Sequence, residues 1–403
     1  MTKYLAGDVG NIPVFEKMDV FRCCGCEACV NICPEKIITM ASGEYGFRYP
    51  HMNKNMCTHC QKCVRTCPVL APVGIRIELR ETYAGYVLNE DLVKSSSSGG
   101  FFTVLAQKFL MQENAYVSAV VWANDFRSTY HICGGVEDIE KMKRSKYIQS
   151  RKNDIYQLIE SKLLEGCHMM FVGCPCEVAG LKNYLGEEYE KLVCIDLVCQ
   201  GPTSEKVMVE YVDMMERRYK SKITQLNLRF VGSSMWIPQW MKMEFANGKR
   251  YLKSYYRTPL GVAFHMMQRP SCYHCKFAGD NRWADLTLGD FHGADETKNY
   301  YNPNGTSIVI VNTVKGKRLI NNIMNEPVLL ESESYESVSL SNPRILGPWE
   351  PYEGSEMFWD NYRKFGLMPA VHKAFTLRGW LPFVIPLRLR TKLQKLKQSW
   401  KQT

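Results

Sequence analysis

The sequence predicts an α+β protein in which a small cysteine-rich domain precedes an α/β body with a β-rich C-terminal lobe. Two observations carry this prediction. Eight cysteines repeat one spacing near the start of the chain, and strand-like runs alternate with helical patterns beyond Pro72. We divide the chain into four predicted parts, residues 1–75, 76–225, 226–350 and 351–403.

The composition is that of a globular protein. Hydrophobic residues make up 45% and charged residues 23% of 403 residues. Neither a secretory signal in Met1–Asp19 nor an apolar run approaching ~20 residues is recognisable. The 17 cysteines are odd in number and closely spaced, so we expect metal ligands in the reducing cytoplasm rather than disulfides. A net charge of +10 predicts an anionic partner without choosing among nucleotide phosphates, an acidic electron carrier, nucleic acid and a membrane surface.

A four-cysteine spacing, C-x2-C-x2-C-x3-C-P, occurs twice in the first predicted domain. Three thiolates of each copy surround one [4Fe–4S] cubane, and the fourth serves the other cluster. The expected ligands of the first cluster are Cys23, Cys26, Cys29 and Cys67. Those of the second are Cys57, Cys60, Cys63 and Cys33. Paired zinc sites are the alternative, but four regular cysteines that end in Cys-Pro do not suit zinc knuckles. Cys24 falls outside the pattern and is predicted to be a spare thiol.

Between the two copies, Gly46–Pro50 alternates in a way that predicts a short strand. In the body, runs rich in Val, Ile, Met and aromatics predict strands at 83–88, 115–121, 168–172, 191–198, 226–231, 241–245, 286–288 and 307–312. Amphipathic patterns predict helices at 101–112, 154–164, 178–185 and 204–219, the last with Ser204 as its N-cap.

A serine–glycine loop precedes the first long predicted helix. Ser95–Ser98 is followed by Gly99 and Gly100, and the helix starts near Phe101. Backbone N–H groups at such a helix start favour an anion such as phosphate, whereas an ordinary linker is the alternative.

A second set of cysteines follows predicted strands, where open α/β sheets gather ligands. Candidates for a third [4Fe–4S] cluster are Cys176, Cys199, Cys272 and Cys275. The alternatives are buried small hydrophobes for the first two and half a zinc site for the last two. Three further cysteines fit a core role, namely Cys133, Cys167 and Cys194.

These motifs resemble those of the coenzyme F-420 hydrogenase/dehydrogenase beta subunit family, from Cys23 to about Pro348. The resemblance rests on Ser98-Gly99-Gly100, Ser145-Lys146-Tyr147-Ile148-Gln149-Ser150, Gly173-Cys174-Pro175-Cys176, Cys199-Gln200-Gly201, Arg269-Pro270-Ser271-Cys272 with Cys275, and Gly289-Asp290-Phe291.

The resemblance implies a flavin-binding α/β body that holds FAD, and it adds weight to the third cluster. The flavin residues carried over from the family are Ser98, Gly99, Gly100, Lys146, Tyr147, Gln149, Gly173 and Pro175. Lys146 is expected to pair with a pyrophosphate or with reduced flavin, and a solvated surface lysine is the alternative. Gln200 replaces the usual histidine, and an amide cannot deliver a proton there. Cys174 replaces the usual threonine, which leaves the ligand choice between Cys174 and Cys176 open.

The last predicted part is a basic amphipathic tail. Residues 376–403 contain no acidic residue, and Leu389, Leu393, Leu396 and Trp400 share one helical face. The tail predicts either peripheral contact with the inner face of a membrane or docking on its own protein. We expect no nucleic-acid binding, because no known motif accompanies the charge.

Together these observations predict a cytoplasmic iron–sulfur flavoprotein oxidoreductase. Electrons would pass from a ferredoxin-like carrier through [4Fe–4S] clusters to FAD, and then as a pair to a conjugated or deazaflavin-like small molecule. The alternative is an electron-transfer subunit without its own substrate reaction, which docks on a partner redox enzyme.

Overall fold

The computed structural model describes residues 12–72, 77–232, 236 and 239–374. The first of these ranges contains a two-stranded antiparallel sheet, in which β1 (Ile38–Ser42) pairs with β2 (Arg48–Met52). It also contains two short helices, α1 (Ala28–Ile32) and α2 (Lys62–Arg65). Each helix follows a residue in the left-handed conformation, Glu27 at φ 63° and Gln61 at φ 59°. The two halves therefore repeat the same local turn, as the repeated cysteine spacing requires.

A mixed sheet forms the centre of the body. Among the described residues it has eight strands in the order β13-β3-β12-β11-β7-β6-β4-β5. The strands are β3 (Glu81–Val87), β4 (Ala115–Trp122), β5 (Ser128–Cys133), β6 (His168–Gly173), β7 (Leu192–Leu197), β11 (Leu286–Asp290), β12 (Ser307–Val311) and β13 (Val328–Ser332). The four strands β4, β6, β7 and β11 run parallel, and the outer pairings are antiparallel. The carboxyl ends of the parallel strands therefore meet at one edge.

Helices cover the sheet and begin at clear signals. Ser204 caps its helix by accepting a bond from the backbone N–H of Val207, and Thr313 does the same for Gly316. The body helices are α3 (Glu90–Lys94), α4 (Phe101–Leu110), α5 (Ile139–Met142), α6 (Ile155–Leu164), α7 (Pro175–Leu185), α8 (Glu205–Tyr219), α9 (Pro259–Met266), α10 (Val314–Ile323), α11 (Tyr335–Ser341), α12 (Ser355–Phe365) and α13 (Leu367–Ala374).

A second, antiparallel sheet consists of β8 (Ile223–Phe230), β9 (Trp240–Phe245) and β10 (Arg250–Ser254). It shares a core of methionines and aromatic rings with α8, α9, α12 and α13. Phe47 and Tyr45 of the N-terminal range enter this core and contact Trp359, with ring centroids 5.7 and 4.5 Å apart. The cysteine-rich part is therefore packed onto the body over an apolar surface.

The predicted order, with the cysteine-rich part first and an α/β body after it, is confirmed. Strands β11 and β12, expected in the β-rich lobe, belong to the main sheet, and β12 pairs with β3. The division at residues 225 and 226 therefore does not separate two sheets of the body, and the four domain boundaries stay predictions.

Residues 376–403, with the predicted tail helix, lie outside the described residues. In the described ranges, no helix combines the length and apolar character needed to cross a bilayer.

Candidate iron–sulfur and cofactor site

The eight N-terminal cysteines fall into two neighbourhoods. Burial first, and then the charges of Cys23, Cys67 and Cys63, raise the pKa of Cys29. The pKa of Cys63 is raised to about 11 by burial and by the charges of its own neighbours, Cys57, Cys60 and Cys33. The fourth cysteine of each copy thus lies beside the triplet of the other copy. This is the arrangement that the crossed ligand assignment expects.

The chemistry of these neighbourhoods suits the cationic iron–sulfur core of a cluster. Buried thiols resist losing their protons, and metal ligands must be thiolates, so bound iron would offset the burial and the repulsion that raise the pKa of Cys29 and Cys63. No three His, Cys, Asp or Glu side chains in the described part of the chain converge on a single ion. A cubane does not require such convergence, because each thiolate binds its own iron atom.

The body cysteines form a third neighbourhood at the carboxyl ends of β6 and β7. The Cys174 thiol donates a hydrogen bond to Cys199, and the charges of Cys275 and Cys199 raise the pKa of Cys272 further than burial alone. Cys176 instead donates to Cys24, the spare thiol of the N-terminal range. The structure therefore brings Cys174, rather than Cys176, against Cys199, which in turn lies near Cys272 and Cys275.

Arg344 provides a test of whether this third neighbourhood fits an anionic cluster. Its guanidinium is buried, and Nη2 donates to the backbone oxygen of Gln200. Nε and Nη1 have no hydrogen-bond partner among the described residues. Burial lowers the pKa of this guanidinium, but Cys199, Cys272 and Cys275 are near enough for their thiolate charges to raise it. Buried charged donors are rarely left unpaired. The bridging sulfides of a cluster on these cysteines would accept them, so the residues fit the group.

The first and third neighbourhoods meet at Arg269, which is fully buried. Its guanidinium donates from Nε to the carbonyl of Cys23 at 2.7 Å, from Nη1 to Oε1 of Gln149 at 2.8 Å and from Nη2 to the carbonyl of Arg48 at 3.0 Å. Cys272 lies three residues further along the same segment. A permanent positive charge therefore stands between two sets of predicted cluster ligands.

A large cavity opens at this edge of the sheet. Its volume is about 1730 Å³, against roughly 300–1,000 Å³ for common ligand sites. All five body cysteines named above line it, together with the ends of β6, β7 and β11. On the same wall are serines 96 to 98, Gly100 and the segment from Lys143 to Ser150. Ligands gather at the carboxyl ends of parallel strands in such sheets, and this cavity has room for a dinucleotide.

Hydrogen bonds to the segment around β12 anchor the serine–glycine loop. Ser98 Oγ donates to the carbonyl of Thr306 at 3.0 Å, and the Gly99 N–H donates to Ser307 Oγ at 2.8 Å. Gly99 does not line the cavity, whereas Ser98 and Gly100 do. Gly100 has φ 92°, which glycine adopts without strain, and α4 begins directly after it. The start of a ten-residue helix thus faces the cavity.

The remaining predicted flavin residues have different surroundings. The Lys146 ammonium donates to the carbonyls of Lys141, Met142 and Lys143, so the alternative of a solvated surface lysine is wrong. Burial lowers its pKa to about 7. Gln149 accepts from Arg269 and from the Arg48 N–H, at the junction with the N-terminal range. Like these two residues, Tyr147, Gly173 and Pro175 line the cavity.

A buried ion pair that the sequence reasoning missed also lines the cavity. Arg229 Nη1 contacts Asp290 Oδ2 at 2.6 Å and the Tyr147 hydroxyl at 3.1 Å. His292 Nε2 lies 3.6 Å from the same carboxylate oxygen. Gly289-Asp290-Phe291 was recognised as a motif without a role, but no local spacing links it to Arg229.

Two family models match the chain. A 4Fe-4S dicluster domain matches residues 22–71, and the model for the C-terminal part of the coenzyme F420 hydrogenase/dehydrogenase beta subunit matches residues 167–336. The first match defines an iron–sulfur protein with a ferredoxin-type domain at its N-terminus. Together the two matches confirm the resemblance to the coenzyme F420 hydrogenase/dehydrogenase beta subunit family that the sequence predicted.

Among curated relatives, the coenzyme F420-dependent sulfite reductase of Methanocaldococcus jannaschii is 22% identical over 326 residues, 78% of this chain and 48% of that protein. This chain thus spans about half the length of that relative. The ketoisovalerate oxidoreductase subunit VorC of Methanothermobacter marburgensis is 31% identical over 68 residues, 16% of this chain and 82% of that protein. A chain of the F420-reducing [NiFe] hydrogenase complex of Methanosarcina barkeri aligns at 15% identity with a TM-score of 0.45, over 72% of this chain and 93% of that one.

Proposed function

We propose that this chain is an iron–sulfur flavoprotein oxidoreductase that passes electrons between an external one-electron carrier and a two-electron small molecule. The observation that carries the proposal is the cavity shared by the body cysteines and the predicted flavin residues. A cluster exchanges one electron at a time, whereas a flavin exchanges one or two. A cavity that holds both groups can join the two kinds of transfer.

The order of the three cysteine sets supports a path through the protein. Cys60 of the second set is exposed, while Cys23 and Cys26 of the first set are buried. Arg269 and the Cys24–Cys176 contact then connect the first set with the body cysteines. We propose that electrons enter at the second cluster, cross the first and the third, and reach FAD in the cavity.

We propose Cys174, Cys199, Cys272 and Cys275 as the ligands of the third cluster. Arg344 supports this choice, because its unpaired donors face three of these residues. FAD would lie along Ser98, Gly100, Tyr147, Gly173 and Pro175, and the start of α4 would favour its phosphates. When bound, the flavin would supply two-electron transfer at its ring.

The substrate class proposed is a conjugated ring that accepts a hydride. The name of the sulfite reductase relative makes the deazaflavin coenzyme F420 the first compound to test. The rival proposal is a relay subunit that delivers electrons to a partner enzyme, which the exposure of Cys60 also favours. Turnover of coenzyme F420 by the isolated chain would distinguish the enzyme from the relay.

Anaerobic purification, followed by iron, sulfide and flavin analysis, tests the proposal. We expect about twelve iron atoms and one FAD per chain, against about eight iron atoms if only the N-terminal clusters exist. Eight iron atoms without flavin would contradict the proposal and leave an electron relay. Cys167→Ala serves as a matched control, because this buried cysteine lies outside all three sets and should retain the full iron content.

A further inference from the structure

The cavity wall carries an acid–base pair at the end of β11. The Asp290 carboxylate is fixed by Arg229, and His292 Nε2 lies 3.6 Å from its Oδ2 atom. The imidazole stacks on the Trp236 ring, with centroids 5.5 Å apart and planes 12° from parallel. His292, Asp290 and Trp236 all line the cavity. The histidine ring is therefore held from one edge and one face.

The second nitrogen of His292 is not used by the described part of the protein. Nδ1 is buried and has no hydrogen-bond partner there. With an N–H on Nε2 toward Asp290, Nδ1 carries the lone pair that can take up a proton. A buried nitrogen left unpaired on a cavity wall points to a group that the cavity receives.

Burial of the ring favours a neutral imidazole for His292. Burial is the main cause that lowers the pKa of His292, Arg229 lowers it further, and Asp290 opposes both. Tyr147 and Tyr256 face the same ion pair, and burial raises the pKa of each phenol, so both stay uncharged. A neutral imidazole beside a carboxylate can accept a proton and return it.

We propose that His292 is the proton-exchanging catalytic residue of the two-electron reaction in this cavity, with Asp290 and Arg229 as positioning residues. This inference rests on the proposed function. A conjugated acceptor that is reduced gains two electrons and two protons, and a hydride brings both electrons with one proton. The imidazolium of His292 gives the second proton, becomes neutral and is reprotonated from water. In the reverse direction the neutral imidazole removes that proton.

The presence of Gln200 in the cavity means that another residue must exchange the proton. Gln200 also lines the cavity, and its amide cannot exchange a proton near neutral pH. Two other histidines line the cavity, His265 among aromatic rings and His274 at an exposed position. His292 is distinguished by its surroundings, because the Asp290 Oδ2 atom lies 3.6 Å from its Nε2 atom. His131→Gln is the matched control, because His131 is exposed on β5 and lies outside the cavity lining.

The first test uses anaerobic holoprotein, reduced ferredoxin as donor and coenzyme F420 as acceptor. General acid–base catalysis commonly contributes about 10²–10⁴-fold, so we expect His292→Gln to lower kcat by at least about 100-fold. KM and the rate of cluster reduction by ferredoxin should stay unchanged. In the wild type, kcat should fall as pH rises through the histidine pKa, and this limb should disappear in the variant. An unchanged kcat in His292→Gln, or an equal loss in His131→Gln, would overturn the assignment.

A second test does not depend on turnover. Carbethoxylation by diethylpyrocarbonate, mapped by peptide mass spectrometry across pH, reports the pKa of each histidine. We expect His292 to titrate below the ordinary histidine value of about 6.5, and lower still in Asp290→Asn, because the carboxylate that raises its pKa is gone. The same midpoint for His292 in both proteins would overturn the role of Asp290. A chain without flavin would refute the proposed function itself, and its His292 midpoint would still be measurable.

Discussion

At the scale of single residues, the proposed electron path depends on buried cations as much as on cysteines. Arg269 donates three hydrogen bonds, to Cys23, Arg48 and Gln149 on three separate segments, and Arg344 faces the third cysteine set. Reducing a cluster adds negative charge, and a nearby guanidinium stabilises that charge. The sequence placed Arg269 in a motif, but only the folded chain shows that it lies between two ligand sets.

Replacing Arg269 should therefore change cluster energetics. We expect Arg269→Gln to lower the reduction potentials of the first and third clusters, because a cation that favours the reduced state is lost. Arg269→Lys keeps the charge and should shift them less. Redox titration followed by electron paramagnetic resonance measures both variants. Potentials equal to those of the wild type in Arg269→Gln would contradict a cation between the clusters.

The two cysteines of the Cys174-Pro175-Cys176 turn should differ in their effect on iron content. We expect Cys174→Ala to lose about four iron atoms per chain, the content of one cubane. Cys176→Ala should retain them, since its thiol contacts Cys24. Iron analysis after anaerobic reconstitution measures this difference. The opposite pattern would return the ligand role to Cys176, as the sequence first suggested.

At the scale of elements, helix α7 links the N-terminal range to the sheet. A Cβ atom on Gly180 would lie 2.8 Å from Cys26 Cβ and 3.1 Å from its Sγ. The Tyr156 hydroxyl, on α6, shares its proton between the carbonyl of Cys26 at 2.9 Å and that of Glu177 at 3.0 Å. The absence of a side chain at Gly180 therefore lets the helix approach the first cluster loop.

We expect Gly180→Ala to push α7 away from this loop. Overpacking of this kind costs about 1–3 kcal/mol, so the free energy of unfolding should fall by that amount. Gly347→Ala is the control, because nothing lies within 4 Å of a Cβ there and its backbone needs no positive φ. Denaturant unfolding under anaerobic conditions gives both values. Equal stability in the two variants would contradict this close packing, because a methyl group at position 180 would then fit without displacing α7.

Elements were the level at which the sequence was most informative. Apolar runs such as His168–Gly173 and the cap at Ser204 are local signals, so strands and helices were predicted close to their observed bounds. Sheet order depends on contacts between distant segments. Pairing of β3 with β12 joins residues 81–87 to residues 307–311, and no local pattern contains that information. The pair of Arg229 and Asp290 was missed for the same reason.

At the scale of the whole molecule, buried polar contacts fasten the N-terminal range to the body. Lys152 Nζ lies 2.6 Å from Glu177 Oε1 and donates to the carbonyl of Gly25 at 3.1 Å. Both side chains are buried. The Lys152 charge is the main cause that holds the pKa of Glu177 below its ordinary value, against the effect of burial. The ion pair therefore contributes stability while Glu177 is ionised.

We expect Glu177→Gln to lower the free energy of unfolding by about 3–5 kcal/mol, because it leaves Lys152 buried without its partner. Glu190→Gln, which breaks an exposed pair with Arg318, should cost at most about 1 kcal/mol.

The contribution of the Lys152–Glu177 pair should also depend on pH. A depressed carboxylate pKa gives stability above the unfolded pKa of about 4.3, and that stability is lost as pH falls through the folded value. Urea unfolding at several pH values should show the difference between wild type and Glu177→Gln shrinking below about pH 4.3. A difference that does not change with pH would contradict the ion pair.

The central claim is that electrons reach the flavin cavity through the body cysteines. Stopped-flow absorbance after mixing with reduced ferredoxin tests it most directly, in the wild type and in Cys199→Ser loaded with FAD. We expect the cluster absorbance to bleach first and the flavin absorbance to follow in the wild type, while in Cys199→Ser only the N-terminal clusters respond. Flavin bleaching at the wild-type rate in Cys199→Ser would contradict the claim.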